Sequence, residues 1–132
     1  MNLQRLSPIL WTKNLTETVD FYENVLGFKA QSNFPNFVYL FREEVALMFI
    51  IPEQEPEECR EESEEVFFPK AKLTGSIYIY CRDADAIWNQ VKDKASIASE
   101  IADREYLMRD FSIRDNNGYE IVFGTDISEL KK

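Results

Sequence analysis

The stretch Ser7-Pro-Ile-Leu-Trp-Thr-Lys-Asn-Leu-Thr-Glu-Thr-Val-Asp-Phe-Tyr-Glu-Asn-Val-Leu-Gly-Phe28 decides the fold. Ser7 to Thr12 reads as a strand, with Ile9 and Trp11 alternating against Pro8, Leu10 and Thr12. Asn14 is a helix cap, with Glu17 three residues on as its capping-box partner. Leu15, Val19, Tyr22 and Val25/Leu26 then recur at helical spacing and share one face. Gly27 stands where a helix wants a left-handed terminating residue, and Phe28 restarts an apolar run.

Working outward, Phe28 to Ser32 is expected as a second strand, Phe37 to Arg42 as a third and Val45 to Ile51 as a fourth, with Glu43-Glu44 as a tight turn. Pro52 ends that run. The order then restarts. Gly75 to Cys81 alternates cleanly, with Ser76, Tyr78 and Tyr80 on one face and Ile77, Ile79 and Cys81 on the other. Asp83 caps a helix whose inner stripe is Ala84, Ile87, Trp88, Val91 and Ala95. Ile97 to Ile101, Arg109 to Arg114 and Tyr119 to Gly124 are expected strands, the last two joined by the turn Asp115-Asn-Asn-Gly118. The chain thus reads as β-α-β-β-β twice. The expected layout is one domain over 1–132, with a first module at about 5–52, an acidic loop at 53–74, a second module at about 75–124 and a tail at 125–132. Each half is too small to bury its apolar face efficiently alone, which is a reason for the halves to pair.

Composition narrows the function classes. The chain has 132 residues, is 45% hydrophobic and carries a net charge of −9. That much apolar material supports a core rather than global disorder. Residues Glu53 to Glu65 hold eight glutamates and one arginine, and so carry seven of the nine net negative charges. An acidic chain repels phosphate backbones, so nucleic acid is not an expected partner, while a cationic ligand is favoured. No apolar run approaches the ~20 residues of a membrane span, and no apolar leader follows Met1-Asn-Leu-Gln-Arg5. Two cysteines, Cys59 and Cys81, make no disulfide framework, so a reducing cytoplasm is the expected location. The sequence shows no phosphate loop, dinucleotide glycine pattern or zinc spacing.

The chain resembles the glyoxalase/bleomycin resistance protein/extradiol dioxygenase superfamily, also called vicinal oxygen chelate proteins. The first half carries the likeness in Asn14-Leu-Thr, Val19-Asp-Phe-Tyr and Val25-Leu-Gly-Phe28; the second half carries it in Arg109-Asp-Phe-Ser-Ile-Arg-Asp-Asn-Asn-Gly-Tyr-Glu-Ile-Val-Phe123. The resemblance runs from about Leu6 to Gly124. It implies an α+β fold of two βαβββ modules, with curved mixed sheets around a concave cavity. In metalloenzymes of this family, four side chains of that cavity hold a divalent ion. By strand register those positions fall on Ser7, near Met48, on Ser76 and on Val122, with Glu120 one pleat away. The chain has no histidine, and serine, methionine and valine are poor or impossible ligands for such an ion.

With Ser7, Ser76 and Val122 taken as inward-facing, the cavity receives Ile9, Trp11, Met48, Ile50, Tyr78, Tyr80, Ser112, Arg114 and Glu120. Phe37, Tyr39 and Phe41 join from the third strand, and Tyr106 lies on the loop before Arg109, where family members place a group over the ligand. The expected ligand-binding set is therefore Trp11, Phe37, Tyr39, Met48, Ser76, Tyr78, Tyr80, Tyr106, Arg114 and Glu120. Neither a catalytic residue, a metal ligand nor a cofactor is expected. Aromatic rings suit flat or cationic ligands, though aromatic residues on a sheet face also serve plain packing. Glu120 is a candidate base if desolvated, or a salt-bridged carboxylate with Arg114 as partner. Cys81 reads as a core thiol, and Cys59, set among glutamates, as a blunted nucleophile.

The leading expectation is a metal-free, non-catalytic binder of a cationic or aromatic small molecule, closest in character to bleomycin resistance proteins. The resemblance implies a homodimer, and Pro8 sits like the proline near the N-terminal strand of those proteins. The alternative is a lyase, isomerase or dioxygenase of the same superfamily with an atypical, carboxylate-based metal site. A third reading makes Glu53–Glu65 the docking segment for a basic partner.

Overall fold

A computed structural model of the chain describes residues 2–52 and 73–131, excepting the side chains of residues 130 and 131. The acidic block Glu53–Glu65 and Cys59 lie outside these residues. The chain divides into two compact units, Met1–Ala71 and Lys72–Lys132.

In the first unit the order is β1 (Ile9–Trp11), α1 (Leu15–Asn24), β2 (Lys29–Gln31), β3 (Phe37–Arg42) and β4 (Val45–Ile50). The sheet runs β1-β4-β3-β2, with β1 parallel to β4 and the other pairs antiparallel. In the second unit the order is β5 (Ile77–Tyr80), α2 (Ala84–Val91), β6 (Ser96–Asp103), β7 (Met108–Arg114) and β8 (Glu120–Asp126), with a closing 3-10 turn at Ser128–Lys131. Its sheet runs β5-β8-β7-β6 with the same parallel first pair. These are the two βαβββ modules of an α+β fold, matching element for element.

Local chemistry explains the helices. Asn14 Oδ1 accepts the Glu17 amide at 3.0 Å, which caps α1. Gly27 has φ 73, and the Phe28 amide closes on the Tyr22 carbonyl six residues back at 2.8 Å. This wide turn, entered through the left-handed Gly27, ends the helix and turns Phe28 back against the Tyr22 ring, 5.6 Å between centroids. One face residue was not anticipated. Thr18 is fully buried on α1 and shares a 2.9 Å hydrogen bond with Thr12 at the end of β1, while its hydroxyl also donates to the Asn14 carbonyl. The hydroxyl satisfies itself locally, so it sits in the core without loss. Asp83 Oδ1 caps α2 through the Ala86 amide, and Thr125 Oγ1 accepts the Ala84 amide, tying the helix start to β8. Arg109 ties the same helix to the sheet through Asp85, whose carboxyl it holds below its ordinary range, and also reaches Asp103.

Each helix covers one sheet face. Under α1 lie Leu10, Val38, Leu40, Leu47 and Phe49, with Tyr22 packed 5.3 Å from the Phe49 ring. Under α2 lie Ile79, Phe111, Ile113, Ile121 and Phe123, with Trp88 5.2 Å from Phe111. β1 and β5 are shorter than the expected Ser7–Thr12 and Gly75–Cys81, while β6 and β8 run longer than expected. The strand expected at Ile97–Ile101 runs from Ser96 to Asp103, because β-bulges carry its pairing with β7 past the point where alternation fades. β8 continues to Asp126, and Ile127 beyond it is buried, so core contacts extend past Gly124. Ala95 lies beyond the end of α2, its amide bonded to the Val91 carbonyl.

Phe111 is fully buried between Trp88 and Phe123. Phe111→Ala is expected to lower the unfolding free energy by about 3–5 kcal/mol in a urea titration; a loss below ~1 kcal/mol would show that this layer is not the core of the module.

Candidate functional site

Strand pairing places the expected residues on the faces opposite the helices. In the first module Ile9, Met48 and Tyr39 lie abreast in one row, and Trp11, Ile50 and Phe37 in the next. Phe41 follows, its ring 5.7 Å from Tyr39. The register of β3, ambiguous from sequence, is thereby fixed: Phe37, Tyr39 and Phe41 share the face of Trp11 and Met48. The Arg5 guanidinium stands 5.9 Å above the Tyr39 ring.

In the second module Tyr78, Val122 and Ser112 lie abreast, followed by Tyr80, Gly124 and Asp110. Glu120 and Arg114 are register partners, but they are not joined as expected. Ser112 Oγ donates to Glu120 Oε2 at 2.8 Å, and Arg114 Nη1 turns to the Gly118 carbonyl at 3.1 Å. The buried Ser112 hydroxyl reaches diagonally across the pleat, whereas the exposed Arg114 finds its partner in the turn. Ser76 precedes β5 and is exposed. Cys81 is half-buried, with Sγ 3.5 Å from the Gly124 carbonyl and 3.7 Å from Thr125 Oγ1.

The organising group of this face was absent from the expected set. Asp110 is buried, 3% exposed, and its Oδ2 accepts hydrogen bonds from Tyr78 Oη at 2.8 Å and Tyr106 Oη at 2.7 Å. Its Oδ1 accepts from Arg104 Nε at 2.8 Å. Arg104 also donates from Nη2 to Ser99 Oγ and to the Glu100 and Asp110 carbonyls. Burial pushes the Asp110 pKa up, but the bonds from Tyr106, Tyr78 and Arg104 outweigh it and hold the carboxyl below its usual range. Burial first, and then the bond to Asp110, raise Tyr78 well above an ordinary phenol; for Tyr106 the bond to Asp110 is the larger cause.

Gly124 makes the arrangement possible. A Cβ at this position would fall 2.1 Å from Tyr78 Oη, so the ring lies across β8 only because glycine leaves the space. The signals existed in sequence: a carboxylate two residues from Ser112 on one strand face, and a glycine inside a strand, which marks close approach. Leu107, with φ 64, forms the hairpin turn that brings Tyr106 back over the sheet.

The positions that would hold a divalent ion do not fit one. Ser7 Oγ is spent on the Ala46 carbonyl at 3.1 Å. Met48 offers a thioether, Val122 is a buried hydrocarbon and Ser76 only a hydroxyl. Among the described residues, no group of three or more histidine, cysteine or carboxylate side chains gathers to hold a metal.

The family model described as Glyoxalase/Bleomycin resistance protein/Dioxygenase superfamily matches residues 4–123. The chain belongs to this superfamily. No curated protein matches it. Several solved structures share the fold. TioX from Micromonospora sp. ML1 is 17% identical with a TM-score of 0.71, covering 93% of this chain and 98% of its own. A protein of unknown function from Agrobacterium tumefaciens str. C58 is 20% identical, with a TM-score of 0.70 and 95% of each chain covered. Lactoylglutathione lyase from Agrobacterium tumefaciens is 17% identical, with a TM-score of 0.65 and 98% of each chain covered. At these identities the likeness is one of superfamily fold. No helix among the described residues is long and apolar enough to cross a membrane.

Two outcomes are expected from the Asp110 circuit. Gly124→Ala displaces the Tyr78 ring and breaks its bond to Asp110, costing about 1–3 kcal/mol of stability; an unchanged urea midpoint would contradict the close approach. The pH dependence has a definite sign. Tyr78 and Tyr106 bind their protons more tightly when folded, so their contribution is complete below the free phenol value of about 10 and fades as pH rises through the folded value. Asp110 contributes above about 3.9, and its share is lost as pH falls through its depressed value. Tyr78→Phe is therefore expected to flatten the alkaline limb of stability against pH, and Asp110→Asn the acid limb, both read from urea midpoints.

Proposed function

We propose that this superfamily member is a small-molecule binding protein similar in character to bleomycin resistance proteins, which sequesters a cationic or aromatic ligand without transforming it. One observation carries the reading: the faces opposite the helices offer aromatic rings, while the positions from which metalloenzymes of this fold coordinate an ion are serine, methionine and valine. Trp11, Phe37 and Tyr39 in the first module and Tyr78, Tyr80 and Tyr106 in the second supply stacking and cation–π surface. The Arg5 guanidinium over the Tyr39 ring supports the reading, since that face already takes a cation. The net charge of −9 draws cationic ligands toward the protein at long range. A homodimer working in the cytoplasm completes the proposal.

The direct test is isothermal titration calorimetry of chelator-treated protein with a bleomycin-family compound. Saturable one-to-one binding per chain, unchanged by chelation, is expected. Absence of heat at high micromolar ligand overturns the reading. So does a stoichiometric divalent ion in the purified protein that the chelator removes along with binding.

A further inference from the structure

The hydrogen-bond directions around Asp110 determine what the second module can offer a ligand. A phenol has one proton to donate. Tyr78 and Tyr106 both commit theirs to Asp110 Oδ2. What remains on each Oη is acceptor capacity, and among the described residues no donor uses it. Arg104 is bonded to Asp110 Oδ1 and offsets the Asp110 charge, so net charge alone does not set the preference of the face. The rings themselves are available. Tyr80 is 75% exposed, with its centroid 5.2 Å from that of Tyr78, and Tyr106 is 58% exposed.

We propose that the Tyr78–Tyr80–Tyr106 face binds a flat aromatic ligand whose edge donates hydrogen bonds, such as an amidinium or a protonated ring nitrogen, and rejects the same ring with an edge that only accepts. This rests on the small-molecule-binding reading and gives it a ligand chemistry. The ring of the ligand stacks on exposed Tyr80, and its N–H groups meet the two phenol oxygens. A phenol that donates to a carboxylate is a better acceptor than a free one, because hydrogen bonds in a chain polarise one another. Its ring face is also more electron-rich, which favours a cation. An acceptor-only edge meets lone pairs against lone pairs. Gly124 is the positioning residue, since it alone lets Tyr78 lie where its proton reaches Asp110. The raised phenol pKa values keep both protons in place through neutral and mildly alkaline pH, so the polarity of the face is fixed there.

Three probes with one ring and different edges test this: benzamidinium (donor only), benzamide (both) and benzoate (acceptor only). Each is titrated into ¹⁵N-labelled protein and followed by amide shifts. Benzamidinium is expected to bind most tightly and benzoate most weakly, with shifts centred on β5 and residues 104–110. Tyr106→Phe keeps the exposed ring but removes one acceptor together with one donor to Asp110, and is expected to weaken benzamidinium about fivefold or more relative to benzoate. Tyr80→Ala, also at an exposed ring, is expected to weaken all three. Benzoate binding as tightly as benzamidinium overturns the proposal, as it would if Arg104 Nη1, which has no partner among the described residues, ruled the site. Benzamidinium shifts that map elsewhere, or a probe order unmoved by Tyr106→Phe, also overturn it. If a bleomycin-family compound binds and benzamidinium does not, this inference falls and the binding function stands. If neither binds, both fall.

Discussion

The apolar layer between each helix and its sheet fixes the direction of every other strand residue. In the first module Tyr22 and Phe49 are its centre; in the second it is Phe111 with Trp88 and Phe123. Side chains alternate along a strand, so burying Leu10, Val38 and Phe49 under α1 forces Ile9, Trp11, Phe37, Tyr39 and Met48 to the opposite face. A slip of one residue would carry the whole apolar set into water and bring the aromatic set beneath the helix. At ~1.5–3 kcal/mol for each large apolar side chain buried, several such residues together hold the register firmly.

That logic made most of the fold legible in the sequence. The Asn14 cap, the Gly27 stop and the alternation of Ser76 through Cys81 are local signals, and each produced the element it pointed to. Where pairing rather than alternation sets an element, the sequence was silent. β6 carries two bulges, so its period breaks and its length is decided by β7. The face residues were equally readable by parity. Their partners were not, because hydrogen bonds cross the pleat diagonally. Glu120 turned to Ser112 rather than to Arg114, its register neighbour, and Tyr78 crossed a glycine to reach Asp110.

Asp110 shows why a site can escape a reading by residue type. A carboxylate in a strand reads as a surface charge. Here it is buried, and the cost of burying the carboxylate is offset by three hydrogen bonds from three partners: two phenols and the Arg104 Nε. Removing any one leaves a desolvated acceptor short of a donor, which is expensive out of proportion to the bond itself. The circuit therefore holds Tyr78, Tyr106 and the 104–107 hairpin in place together. None of these residues is adjacent to another in sequence, apart from the members of the hairpin, so only the folded register assembles them.

The two modules share strand order, the parallel first pair and the capped helix, yet their opposite faces differ in kind. One carries Trp11, Phe37, Tyr39 and Phe41; the other a polar circuit edged by tyrosines. The difference is tolerated because stability resides mainly in the layer beneath the helices, and that layer is apolar in both. A scaffold built this way places little constraint on the chemistry of its second face. Serine and valine stand where the resemblance to metalloenzymes of the family implies donors, and the layer under the helices is apolar all the same. Superfamily membership consequently fixes which face of each sheet lies opposite its helix and which residues stand on it. What that face can offer depends on the direction of a few hydrogen bonds, and in the second module those directions are set by one buried carboxylate.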